Sequence, residues 1–216
     1  LANIFGVKLQ KILYLQTNII NRMNQPILLI DNFDSFTYNL VHLLEEIHGE
    51  RPRTMRVDAI KDSDILESAA VVISPGPGLP EEMGELMHWV DLAIKNKPTL
   101  GVCLGHQAIT MALGGTLQQL NEVYHGVARK GIIMSKMPMY EGVSNEFDAG
   151  SYHSWTANTA TFPDELNITA QDSRGEILSF IHSNKPVWGV QFHPESILTP
   201  DGKQIVQNWF RHWQKQ

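Results

Sequence analysis

Apolar positions alternate between two rhythms along the first half of the chain. "ILLID" (27–31) is a short unbroken apolar run of the kind found in parallel strands buried on both faces. Asp34 and Ser35 supply helix-capping chemistry, and in the following "FTYNLVHLLEEIHG" Leu40, Leu43, Leu44 and Ile47 recur at helical spacing up to Gly49. The alternation then repeats. "RTMRV" (53–57) and "AAVVIS" (69–74) predict strands, 84–96 a helix, "PTLGVC" (98–103) a fourth strand, and "LGHQAITMALG" a helix stopped by Gly114 and Gly115. This order predicts βαβ units, hence an α/β fold with an open, mostly parallel central sheet flanked by helices.

After Gly115 the rhythm changes. "GIIMS", "LNITAQD", "EILSFIHS" and "PVWGVQF" lie close together, separated by Gly, Asn, Pro and Asp clusters. That spacing predicts antiparallel strands added to the sheet in the C-terminal half. An amphipathic helix over 201–214 places Ile205, Val206, Trp209 and Phe210 on one face. No repeat, low-complexity tract or linker divides 26–216, which reads as one domain. Residues 1–25 carry Lys8, Lys11, Arg22 and an internal Met23 but no acidic residue. They lack the apolar core and cleavage site of a signal peptide and are expected to form an extension outside the domain.

Composition narrows the partners. A length of 216 residues suits one substantial domain or two small ones, and a net charge of −6 without long Lys/Arg clusters argues against nucleic acid. No apolar run reaches the roughly 18 residues that would suggest a membrane span. A single cysteine excludes an intramolecular disulfide and a Cys-rich zinc site, and fits a reducing, cytoplasmic setting.

That cysteine is where the chemistry concentrates. Cys103 stands between a predicted buried strand and the helix after it, with Gly101 and Gly105 two positions to either side. Glycines there permit a sharp strand-to-helix turn at the carboxyl edge of the sheet, where open α/β sheets bind ligands. The helix N-terminus opening at Leu104 favours a thiolate. A cysteine nucleophile needs a base, and the base an orienting group. His193 closes the apolar run "PVWGVQF", and Glu195 falls two residues later, on the same side of an extended segment. "SPGPGLP" (74–80) ends the third strand, where Gly76 and Gly78 expose backbone N–H groups that, with that of Leu104, suit a tetrahedral oxyanion. Alone, each of these elements is also an ordinary buried cysteine, strand-end histidine or loop.

Taken together, "GVCLGHQ", "PGPG" and "GVQFHPES" resemble the three signature blocks of the class I, triad-type glutamine amidotransferases. The resemblance covers about 27–213, and the opening "LLIDNFDSFTYNLVHLL" is similar to the amidotransferase subunits of anthranilate synthase and aminodeoxychorismate synthase. It implies L-glutamine as substrate, with Cys103 as nucleophile, His193 as proton carrier and Glu195 as its orienting group. It further implies that Gly76, Pro77, Gly78, Gln107, His153 and Ser154 hold the glutamine backbone, the last two standing in "SYHSW". Ammonia would pass to a separate chorismate-binding synthase subunit in a hetero-oligomer, with no cofactor in this chain and Mg2+ in the partner. The helix "FTYNLVHLLEE" and the loop 121–130 are the expected contacts. One position departs from the pattern: Val127 follows "HG" where related chains often carry lysine, and the nearest cations are Arg129 and Lys130.

Overall fold

In the computed structural model, residues 25–135 and 137–214 are described, so the expected extension, apart from Gln25, lies outside the described residues. The first half forms β1 (Leu28–Asp31), α1 (Thr37–His48), β2 (Arg53–Arg56), α2 (Asp62–Leu66), β3 (Val71–Ile73), α3 (Leu86–Asn96), β4 (Thr99–Val102) and α4 (Leu104–Ala112). The second half adds β5 (Leu117–Gln119), β6 (Val127–Ile133), β7 (Glu146–Ser151), β8 (Trp155–Ala157), β9 (Leu166–Asp172), β10 (Ile177–His182), β11 (Val187–Val190) and α5 (Gly202–Trp213). Among the described residues no helix is long and apolar enough to cross a membrane.

The main sheet has nine strands in the order β2-β1-β3-β4-β11-β10-β9-β6-β7, and β5 pairs with β8 in a small second sheet. β2, β1, β3, β4 and β11 run parallel, and β10, β9, β6 and β7 extend the sheet antiparallel. The mostly parallel centre and added antiparallel strands follow the sequence pattern, except at β11. That strand is antiparallel to β10 on one edge, yet parallel to β4 on the other, with Trp188 opposite Leu100 and Val190 opposite Val102. All four of its residues are buried, a requirement that only a central position meets. Its position brings the carboxyl ends of β4 and β11 side by side, so the residues following each strand become neighbours.

Strand alternation divides the core between two helix layers. Leu29, Val72, Leu100, Trp188 and Val190 pack with Leu40 and Leu44 of α1 and with Val206, Trp209 and Phe210 of α5. Leu28, Ile30, Val71, Ile73 and Val187 pack on the opposite side with Trp89, Val90 and Ile94 of α3 and Leu104 and Ile109 of α4. Each large aliphatic side chain so buried contributes about 1.5–3 kcal/mol. The predicted stops hold: Gly49 caps α1 at φ 85°, its N–H donating to Glu45 O, and Gly114 follows α4 at φ 91°. The start of α1 shifts. Asp34 accepts from Phe36 N at 3.2 Å, and the helix proper begins at Thr37, whose hydroxyl donates to Asp31.

His106, inside α4, is wholly buried against Phe180, ring centroids 4.6 Å apart, and neither ring nitrogen has a protein partner. Burial, reinforced by His153, lowers its pKa from 6.5 to about 3, so the folded chain holds the ring neutral. Between those values the unfolded chain binds the extra proton, so stability falls as pH drops through this window. Denaturant unfolding of His106→Gln at a series of pH values is expected to show a shallower fall than the parent chain. An identical slope would contradict this reading.

Candidate active site

Cys103 follows β4 directly with φ 52° and ψ −101°, a positive φ outside glycine that only Phe33 shares among the described residues. Such backbone costs about 1–3 kcal/mol and persists only where the surroundings enforce it. They do so here through close approach. A Cβ on Gly105 would stand 2.5 Å from Ile73 O, and one on Gly101 2.5 Å from Gly105 O, so α4 lies directly on β3 and β4. The Cys103 amide donates to Val190 O at 2.8 Å, fastening the turn to β11. The sulfur therefore stands at the N-terminus of α4, on the sheet edge.

β11 delivers the second group. Three residues past its end, His193 Nδ1 donates to Glu195 Oε1 at 2.7 Å, with both side chains almost fully buried. The His193 backbone is held by its amide donating to Gly150 O and by the Thr199 hydroxyl donating to its carbonyl at 2.7 Å. The Tyr152 ring lies 4.7 Å from the imidazole and Phe36 stands edge-on at 6.1 Å. Burial alone would lower the pKa of His193, but hydrogen bonds and charge from Cys103 and Glu195 outweigh it and raise the pKa well above 6.5. The ring thus keeps a proton next to the sulfur, where a leaving amine can take it.

A cavity of about 140 Å³ opens over the sulfur. Gly76, Pro77, Gly78, Cys103, Leu104 and Gln107 line one side, and Tyr152, His153, Ser154 and Trp155 the other. A Cβ on Gly76 would lie 2.6 Å from Asn32 Cβ, and Gly78 has φ 70°, so "PGPG" owes its path to glycine. Gln107 Nε2 donates to Trp155 O at 2.7 Å and to Gln191 Oε1 at 3.2 Å. Every site residue singled out in the sequence lines this cavity except His193, which stands beside Cys103 at a second opening, and Glu195, which bonds His193. Val123, His125, Tyr152, Trp155 and Gln191 stand inside the segments 121–130, "SYHSW" and "GVQFHPES", but the sequence gives none of them a place in the cavity. The Gln191 amide stands 3.7 Å from Cys103 Sγ. Its only sequence signal is its place two residues before His193.

A second opening, about 380 Å³, reaches Cys103 and His193 from the side of Phe33, Asp34, Phe36 and Pro75. Burial raises the pKa of Asp34 there, while the charge of His193 opposes the rise. Two approaches to one thiol allow a reactant to enter by one and a small product to leave by the other. The arrangement suits acyl transfer through a thioester: a thiol, a proton-carrying imidazole oriented by a carboxylate, and glycine-rich backbone beside a helix N-terminus.

Comparison with known proteins points the same way. The family model for glutamine amidotransferase class-I matches residues 28–213. An anthranilate synthase component II from Haloarcula marismortui is 43% identical over 85% of this chain and 96% of the relative. An aminodeoxychorismate/anthranilate synthase component 2 from Bacillus subtilis is 39% identical over 88% of this chain and 98% of the relative. The crystal structure of a glutamine amidotransferase from Thermotoga maritima shares the fold, with a TM-score of 0.71 at 14% identity over 89% of this chain and 99% of that one.

Proposed function

The chain belongs to the class I glutamine amidotransferases, and from that premise we propose that it is the glutaminase subunit of anthranilate synthase. L-Glutamine lies in the 140 Å³ cavity, its backbone end toward Gln107, His153 and Ser154 and its amide over Cys103. The sulfur attacks the amide carbon, and the carbonyl oxygen gains negative charge facing the backbone N–H groups of Leu104 and the Gly76–Gly78 loop. His193 gives its proton to the nitrogen, the C–N bond breaks and ammonia leaves. Water then adds to the γ-glutamyl thioester with His193 accepting its proton, and glutamate departs as the C–S bond breaks. Glu195 keeps the imidazole oriented through both steps.

The observation that carries the synthase assignment is the likeness to component II chains over nearly their whole length, 43% identical in the Haloarcula relative. Exposed Phe33, Phe36, Tyr38, Val123 and Val127 also lie on the segments that begin α1 and precede or open β6. They offer apolar surface that a chorismate-binding subunit receiving the ammonia would cover. A second reading, the amidotransferase subunit of aminodeoxychorismate synthase or one serving both enzymes, is favoured by the dual name of the Bacillus relative.

Mixing the chain with each synthase subunit, chorismate, Mg2+ and L-glutamine separates these readings. Anthranilate formed only with the anthranilate-type partner supports the first. Aminodeoxychorismate formed with the other partner supports the second. Glutamine turnover as fast without any partner as with one would contradict both and indicate a stand-alone hydrolase.

A further inference from the structure

Behind the cavity wall, His153 joins a buried ionic cluster whose other members the reaction above does not use. His153 Nε2 donates to Glu176 Oε1 at 2.6 Å, and Arg129 pairs with Glu176 Oε2 at 2.7 Å and also with Asp172. All four side chains are at least nine-tenths buried. The Arg129 guanidinium also lies over the Tyr124 ring, 4.1 Å from its centroid. Burial would raise the pKa of Glu176, but the bonds from His153 and Arg129 overcome this and lower it to about 2, so a full carboxylate faces the imidazole.

The cluster is built on rigid elements. Glu176 ends the turn between β9 and β10, where Asp172 Oδ1 accepts from both Arg174 N and Glu176 N, and Gly175 takes the φ of 82° that the turn requires. Arg129 stands on β6, next to β9. His153, by contrast, belongs to the non-strand link between β7 and β8 that forms one wall of the cavity. That link is tied at its backbone, with Tyr124 N donating to His153 O and Leu120 N to Ser154 O. The His153 ring has Glu176 as its sole hydrogen-bonding partner among the described residues, since Nδ1 has none.

We infer that Glu176 is a positioning residue for glutamine: held by Arg129 and Asp172, it fixes the His153 ring and with it the cavity wall against which the backbone end of the substrate binds. The inference rests on the reading of this cavity as the glutamine site. Glu176 touches neither Cys103 nor His193 by any hydrogen bond among the described residues, so its effect falls on binding rather than on the nucleophile.

Alkylation of Cys103 by iodoacetamide, with L-glutamine as protectant, tests this on the chain without a partner. E176Q is expected to raise the half-protecting glutamine concentration about tenfold, the loss of one charge-assisted hydrogen bond, while the alkylation rate without glutamine stays near that of the parent chain. E176D retains the charge opposite Arg129 but withdraws the carboxylate from His153 by one methylene. A positioning role predicts equally weak protection in E176D, which also carries the test if E176Q does not fold. Parent-like protection in E176D would overturn the inference in favour of charge balance alone, and parent-like protection in both would remove any role in binding. Failure of glutamine to protect the parent chain would overturn the glutamine reading itself and the inference with it.

Discussion

Cys103→Ala is expected to reduce glutamine-driven product to background, a loss of about 10⁴-fold or more, while the partner's reaction with added ammonium salt continues. The size of the loss follows from the geometry. No other cysteine exists in the chain, so no second thiol can replace it. The fold should survive, because alanine removes only one sulfur atom from a side chain already 6% exposed at the cavity floor. The turn is fixed by its glycines and by the Cys103 amide bonded to Val190 O, neither of which the substitution touches. Cys103→Ser should be nearly as inactive, since a hydroxyl is a far weaker nucleophile at neutral pH than a thiol. Loss of the ammonium-driven reaction together with the glutamine-driven one would instead mean that the substitution disrupts the complex.

The second large effect is structural in origin. Gly105→Ala is expected to destabilise the chain by about 2–3 kcal/mol and to abolish most glutamine turnover. Alanine is the better helix former, which by itself would add about 1 kcal/mol of stability. Here that gain is outweighed. The new methyl would stand 2.5 Å from Ile73 O and 2.8 Å from Ile73 Cβ, both on a fully buried strand that cannot give way. α4 must lift from the sheet, carrying Leu104 N and Cys103 with it. A thermal melt should show a fall of about 5–10 °C for a domain of this size. Gly114→Ala is the control, for its Cβ meets nothing within 4 Å and only its φ of 91° is penalised. A melting temperature for Gly105→Ala at or above that of the parent chain would show that helix propensity outweighs the close packing.

How much of this was legible in the sequence depended on how strongly each element is periodic. β1, β3, β4 and β9 were readable because continuous apolar or alternating runs leave few alternatives, and α1, α4 and α5 because their apolar residues recur at helical spacing. α2 was missed since five residues with a single buried side chain, Ile65, carry no period. β7, "EFDAGS", was missed because its pairing with β6 and not its composition makes it a strand. The parallel placement of β11 beside β4 is a property of the whole sheet that no local run encodes, and it brings residues 90 positions apart into one site. Cys103 and His193 could be found through the glycines and the strand ends around them. Tyr152, Gln191 and the Arg129–Glu176–His153 cluster could not, since they come from β6, the turn before β10, the link between β7 and β8 and the segment after β11, whose residues give no sign of each other.

Attack of Cys103 on the side-chain amide carbon of L-glutamine can be caught with a glutamine analogue carrying a chloromethyl ketone in place of the amide, followed by peptide mapping. One covalent adduct per chain is expected, on Cys103, slowed by L-glutamine and absent from Cys103→Ala. An adduct on another residue, or an unmodified Cys103 in a chain whose glutamine turnover has been blocked by the analogue, would contradict that attack.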